Sequence, residues 1–170
     1  MSGRALHIRL KRHADGSASI TCTRGDGTVT WQRQKGQLGA VFPPHDLTHY
    51  AVETTLGCRS AFYGLMADGW EIGDFAAPWP RGELSEEARE VELFVGCLDT
   101  ERRQLTRWTA EELNAHARVA VSASRFSGLR HRELTDDQLQ AIRALRDDLL
   151  RRWHALSAGE SLELMFEHSS

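Results

Sequence analysis

The chain has 170 residues, of which 26% are charged, and a formal net charge of −3. This composition is ordinary for a globular protein, and we expect residues 1–170 to form one domain with a single core. Without a broad basic surplus, we expect no nucleic-acid partner. Because no long apolar run and no signal-peptide pattern occurs, we also expect no membrane association and a cytoplasmic location.

The N-terminal third alternates between apolar and polar residues. In residues 4–12, Leu6, Ile8 and Leu10 are separated by basic side chains, and the alternation continues through residues 18–23 and 29–33. A period of two with one apolar face is typical of a half-buried strand. Turn residues separate the three segments, so they predict a three-stranded antiparallel meander.

Helices are predicted for most of the remaining chain. One runs from about Pro44 to Leu56, where Gly57 suits a C-cap. Three further helix starts carry an N-cap serine or threonine followed by acidic or amide side chains: Ser85, Thr109 and Thr135. Residues 162–166 alternate again and predict a last strand. We therefore expect an α+β fold, in which a small antiparallel sheet of the meander plus the C-terminal strand packs against several helices.

The predicted helix after Pro43 and Pro44 carries the residues most suited to chemistry. His45 and His49 are four residues apart, so both imidazoles lie on one helix face and suit a shared divalent ion. Glu53 continues the same row, which makes His45, His49 and Glu53 the candidate metal ligands. Because Glu53 lies about 12 Å from His45 along a straight helix, it suits a carboxylate that accepts the other ring N–H of His49.

The segment from His45 to His49 has the pattern His-Asp-x-x-His, which resembles the His-Glu-x-x-His helix of zincin-type zinc metallopeptidases. The resemblance implies that His45 and His49 bind zinc and that Asp46 acts as the general base on a metal-bound water. Aspartate stands here where that family has glutamate, and the family's downstream third-ligand patterns are absent. The His45-Asp46 pair also resembles the paired ligands of HD-domain phosphohydrolases, which are all-helical.

A third ligand from outside the helix is expected, and the sequence leaves its identity open. The candidate donors elsewhere in the chain are His13, Asp68, Asp74 and Glu90. A neighbouring run of acids, which comprises Glu83, Glu86, Glu87, Glu90 and Glu92, is interpreted as a solvated helix face. Cys22 and Cys97 are expected to be buried and unreactive, because both lie on or beside apolar-facing positions and no cysteine pairing pattern occurs.

These patterns predict a divalent-metal-binding protein, with zinc or another divalent metal as cofactor and metal-dependent hydrolysis as its activity. The substrate or partner is expected to be a small molecule or a peptide. The alternative is a non-catalytic binding or regulatory module. In that case the helix dipole favours Asp46 in the first helical turn, and His49 with Glu53 is an ordinary ion pair one turn apart.

Overall fold

The computed structural model describes residues 4–122 and 124–168, without the side chains of Ser124 and His168. Its sheet has the strand order β3-β2-β1-β4, and every neighbouring pair is antiparallel. The strands are β1 (Arg4–Arg12), β2 (Ala18–Arg24), β3 (Val29–Gln34) and β4 (Ser161–His168). The predicted meander and the C-terminal strand are therefore confirmed.

Five α-helices within the described residues accompany the sheet, which confirms the predicted α+β class. They are α1 (Leu38–Leu56), α2 (Phe62–Ala67), α3 (Glu86–Arg103), α4 (Ala110–Val121) and α5 (Asp136–His154). The hydroxyl groups of Ser85, Thr109 and Thr135 each accept a hydrogen bond from the first turn of the helix that follows. No helix among the described residues combines the length and apolar character needed to cross a bilayer.

Helix α1 begins at Leu38, six residues before the predicted start at Pro44, so that boundary was wrong. Pro43 and Pro44 lie inside the helix, where they cannot donate backbone hydrogen bonds. Tertiary packing explains why the helix forms nevertheless. A Cβ atom at Gly39 would lie 2.5 Å from the carbonyl oxygen of Gly16, so the first turn of α1 rests directly on the β1–β2 turn.

Two apolar clusters meet at α1. One lies beneath the sheet, where Leu6, Ile8 and Leu10 are fully buried, and α1 contributes Leu47 to it. The other lies between α1, α3, α4 and α5, and α1 contributes residues 51 and 52. Helix α1 therefore packs against both the sheet and the helices, and its histidine row faces α3.

The three cysteines are all buried and free. Burial of Cys22 and Cys97 is thus confirmed, while their lack of reactivity remains a prediction.

Candidate metal centre

Helices α1 and α3 bring two imidazoles and one carboxylate together. His45 and His49 extend from successive turns of α1, and Glu92 extends from the second turn of α3. One ligand atom of each residue lies within 4.8 Å of the other two. The ring centroids of the two histidines are 4.9 Å apart, as expected for an i,i+4 pair on one helix face.

His49 is buried between two carboxylates. Its Nδ1 lies 3.4 Å from Oε1 of Glu53, and its Nε2 lies 3.0 Å from Oε1 of Glu92. Burial works to lower the pKa of His49, but the two carboxylates outweigh it and raise that pKa to about 10. Burial likewise works to raise the pKa of Glu92, but His49 lowers it to about 2. Without an ion, His49 is therefore a cation held by two anions.

His45 has an equivalent carboxylate partner on the same ring nitrogen. Its Nδ1 lies 2.7 Å from Oδ2 of Asp99. Asp99 follows Glu92 by seven residues, or about two turns, and therefore lies on the same face of α3. The side chain of His45 is 29% exposed, compared with 3% for His49. Each histidine thus has a carboxylate at Nδ1, which orients the ring and leaves Nε2 for a ligand role.

The structure places Glu53 behind His49 rather than beside His45. Glu53 is fully buried, with Oε1 near His49 and Oε2 accepting a hydrogen bond from the backbone amide of Tyr63 at 3.0 Å. Burial raises the pKa of this carboxyl group, although His49 and the amide work in the opposite direction. Among the described residues, the group of close ligand atoms contains Glu92 and does not contain Glu53.

Asp46, the candidate general base, is buried next to the same group. Its Oδ2 accepts a hydrogen bond from Nε2 of Gln34 at 3.0 Å. Burial raises the pKa of Asp46 to about 6, even though Gln34 and the neighbouring imidazoles favour its ionised form. A carboxylate with a pKa close to neutral is suited to accept and return a proton.

A cavity of about 220 Å³ borders these residues. Its polar wall includes His45, Asp46, His49 and Glu92, and its apolar wall includes three phenylalanines, at positions 42, 62 and 75. Since one water occupies about 30 Å³ in the liquid, the cavity has room for several waters or a small substrate group.

Glu92 was missed by the sequence interpretation, which assigned it to a solvated acidic run. The four predicted donors lie elsewhere and have other partners: His13 with Ser19, Asp68 with Arg4, Asp74 with Arg81, and Glu90 with Arg132. A usable signal existed, because Glu92 and Asp99 are seven apart in an amphipathic helix and thus share one face. Nothing in the sequence showed that this face meets α1.

The donor set fits a divalent transition metal. Two ligand atoms at 2.0–2.2 Å from a tetrahedral ion are roughly 3.3–3.6 Å apart. The present separations, at most 4.8 Å, therefore need only small side-chain adjustments.

Comparison with known proteins adds no analogy, since no family model, curated protein or solved structure matches this chain.

Proposed function

We propose that the protein binds one divalent transition-metal ion through Nε2 of His45, Nε2 of His49 and the carboxylate of Glu92. The observation that carries this proposal is the convergence of three donors from two helices within 4.8 Å. Asp99 and Glu53 strengthen it, because a carboxylate on the second nitrogen of a metal-bound histidine fixes the ring and raises its basicity. A surface cluster formed by chance has no such supporting layer.

Two imidazoles with one carboxylate suit zinc and other first-row divalent metals better than calcium or magnesium, which prefer oxygen ligands. Three protein ligands also leave at least one coordination position open, which is the arrangement of catalytic rather than structural zinc sites. The cavity of about 220 Å³ borders all three proposed ligands and would give a small molecule access to such an ion.

The activity best supported by this arrangement is hydrolysis of a small molecule or peptide. A divalent ion at this place supplies Lewis acidity. Asp46 borders the cavity with a pKa of about 6, so near neutral pH it is ready to take a proton from a water held there. Gln34 holds Oδ2 of Asp46 and thereby orients the carboxylate.

Metal analysis of protein purified without a histidine tag tests the proposal. Wild type is expected to bind one zinc, or another divalent ion, per chain. His45→Ala, His49→Ala and Glu92→Gln should each lose stoichiometric metal, because each removes one of three ligands. Glu111→Gln is the matched control, since Glu111 is an exposed helical carboxylate on α4. Full metal content in the histidine variants would rule out this site.

A non-catalytic binding or regulatory module is the second candidate. It is favoured by the fact that His49 already has a partner on both nitrogens, so the cluster is stable as an ion triad. A wild type that binds no divalent ion at micromolar concentration would end the metal proposal and leave this one.

A further inference from the structure

A second and larger cavity lies on the other side of Glu92. Its volume of about 590 Å³ is within the usual range for small-molecule sites, whereas the cavity at His45 is smaller than that range. Its walls include Trp79, Leu84 and Phe126 as apolar groups, and Glu83, Arg89, Glu92 and Arg125 as charged groups. Glu92 lines both cavities and so forms part of the wall between them.

Two guanidinium groups supply the positive charge of the larger cavity. Arg125 approaches Oε2 of Glu92 at 3.4 Å, while Oε1 of the same carboxylate faces His49. The side chain of Arg125 is 72% exposed, so this long ion pair and the contact of its guanidinium with the Phe126 ring, 5.2 Å from the ring centroid, hold it weakly. Arg89 donates to the carbonyl oxygen of Ser127 at 3.1 Å and stands on the same wall.

Trp79 supplies an unusual apolar surface beside these arginines. Its backbone has φ of 58°, a left-handed conformation that bulky residues rarely adopt. Two backbone hydrogen bonds hold it there, from Trp79 N to Ala76 O and from Gly82 N to Trp79 O, both 2.9 Å. Trp79 is nevertheless 46% exposed, and it takes no part in the ring contact between Trp70 and Phe75. A strained backbone that displays a large aromatic side chain at a cavity indicates ligand contact.

The charge balance of the cavity changes when an ion occupies the site. Arg89 and Arg125 carry two positive charges, which Glu83 and Glu92 balance in the metal-free protein. Once Glu92 binds a cation, its negative charge no longer balances the positive charge of Arg125. One positive charge is then left over, because two arginines face Glu83 alone. The cavity thereby becomes complementary to a ligand with a single negative charge.

We propose that this cavity binds a small organic monocarboxylate with an aromatic or similarly flat apolar group, and that this is the substrate class of the neighbouring centre. The carboxylate pairs with Arg125 and Arg89, and the apolar group packs on Trp79, Leu84 and Phe126. The placement of the ligand beside a metal ion rests on the proposed function. The surplus positive charge that favours an anion also requires a cation at Glu92, so the preference for a monocarboxylate rests on the proposed function as well.

The test uses full-length protein with zinc added, phenylacetate as the probe and its neutral counterpart 2-phenylacetamide. Binding is followed by the indole N–H resonance of Trp79, which Trp79→Phe assigns, and by calorimetry. Phenylacetate should shift that resonance saturably, and phenylacetamide should bind at least about tenfold more weakly, since it cannot form charge-assisted hydrogen bonds.

Arg125→Gln should weaken phenylacetate binding by about 10–100-fold, the usual cost of losing a charged hydrogen bond. Arg130→Gln is the matched control, because Arg130 is an exposed arginine outside the cavity. Equal binding of the acid and the amide, or unchanged affinity in both Arg125→Gln and Arg89→Gln, would overturn the proposal.

Zinc affinity is measured separately, by direct titration, so the two proposals fail distinguishably. A protein that binds zinc but shows no movement of the Trp79 resonance keeps the metal centre and loses the anion site. A protein that binds no zinc but binds phenylacetate through Arg125 loses the metal centre and keeps the anion site, and it shows that the two arginines hold the anion without a cation at Glu92.

Discussion

Two groups of buried charges flank α3, and they differ in what surrounds them. Glu101 pairs with Arg143 of α5, whose guanidinium also donates to the carbonyl oxygen of Trp108 at 2.6 Å. The amide of Trp108 donates back to Glu101 at 2.9 Å. At the other end of α3, His49 lies between Glu53 and Glu92, and a cavity borders it.

The first group is closed and electrically matched, with one acid for one base and backbone groups around it. The second has two acids for one histidine, and His49 and Glu92 line a cavity together with His45. Burial of charge is common to both, so burial alone does not mark a functional site. A surplus of metal-type donors directed at a cavity is the feature that separates the second group from the first.

The closed pair should give the largest change in stability. Glu101→Gln leaves Arg143 buried without its anion, and we expect the free energy of unfolding to fall by about 3–5 kcal/mol. Urea denaturation measures this, while zinc stoichiometry should stay at the wild-type value. A loss below about 1 kcal/mol, or loss of zinc, would mean that the two groups do not differ as described.

The open group should respond mainly in metal affinity. Glu53→Gln should weaken zinc binding by about 10–100-fold, because the amide still accepts a hydrogen bond from His49 but no longer balances its charge. Titration of metal-free wild type and variant measures the change. Near-complete loss of the ion would identify Glu53 as a direct ligand.

Thermal melts without metal complete this comparison, since Glu53 is fully buried and holds the Tyr63 amide. In the metal-free protein, Glu53→Gln should still lower the free energy of unfolding by about 1–3 kcal/mol. An unchanged melting temperature would show that Glu53 has no structural role.

The dependence of stability on pH sharpens the contrast further. The pKa of His49 rises from an ordinary 6.5 to about 10 in the folded, metal-free protein. Its charged form therefore stabilises the fold fully below pH 6.5, and this contribution is lost as the pH rises through 10. The difference in unfolding free energy between wild type and His49→Gln should shrink across that range. A constant difference from pH 6.5 to pH 10 would contradict the ion triad.

The smallest expected effect concerns the cysteines, which belong to neither charge group. Burial raises the pKa of Cys22 to about 12 and that of Cys97 to about 11, so little thiolate is present at neutral pH. Native protein should react slowly with a thiol reagent, and unfolding in urea should restore rapid reaction. Fast labelling of all three thiols in the native state would disagree.

The parts of this fold that depend on local sequence were predictable. Alternation in residues 4–12 fixes which face of β1 is buried, and the caps at Thr109 and Thr135 define helix starts through neighbours only three residues away. The pairing of His45 with His49 is equally local, because it follows from one helical turn.

The rest depended on contacts between distant segments. Glu92 joins His49 across 43 positions in sequence, and only the packing of α1 against α3 brings them together. The early start of α1 escaped prediction for a related reason. Local chemistry places Pro43 and Pro44 at a helix entry, whereas the contact of Gly39 with the β1–β2 turn extends the helix before them.

The position of β1 in the sheet has a consequence for how the protein folds during synthesis. Leu6 pairs with Phe166 and Leu10 with Leu162, so one edge of this central strand waits for a partner made about 150 residues later. At 5–20 residues per second, the wait is roughly 8–30 s. Throughout that time the backbone groups of β1 that pair with β4 lack this partner and can pair with other chains, and contacts this distant also slow folding itself. The nascent chain is therefore most prone to aggregate before residue 161 emerges, and this is the period in which a chaperone would have the greatest effect on yield.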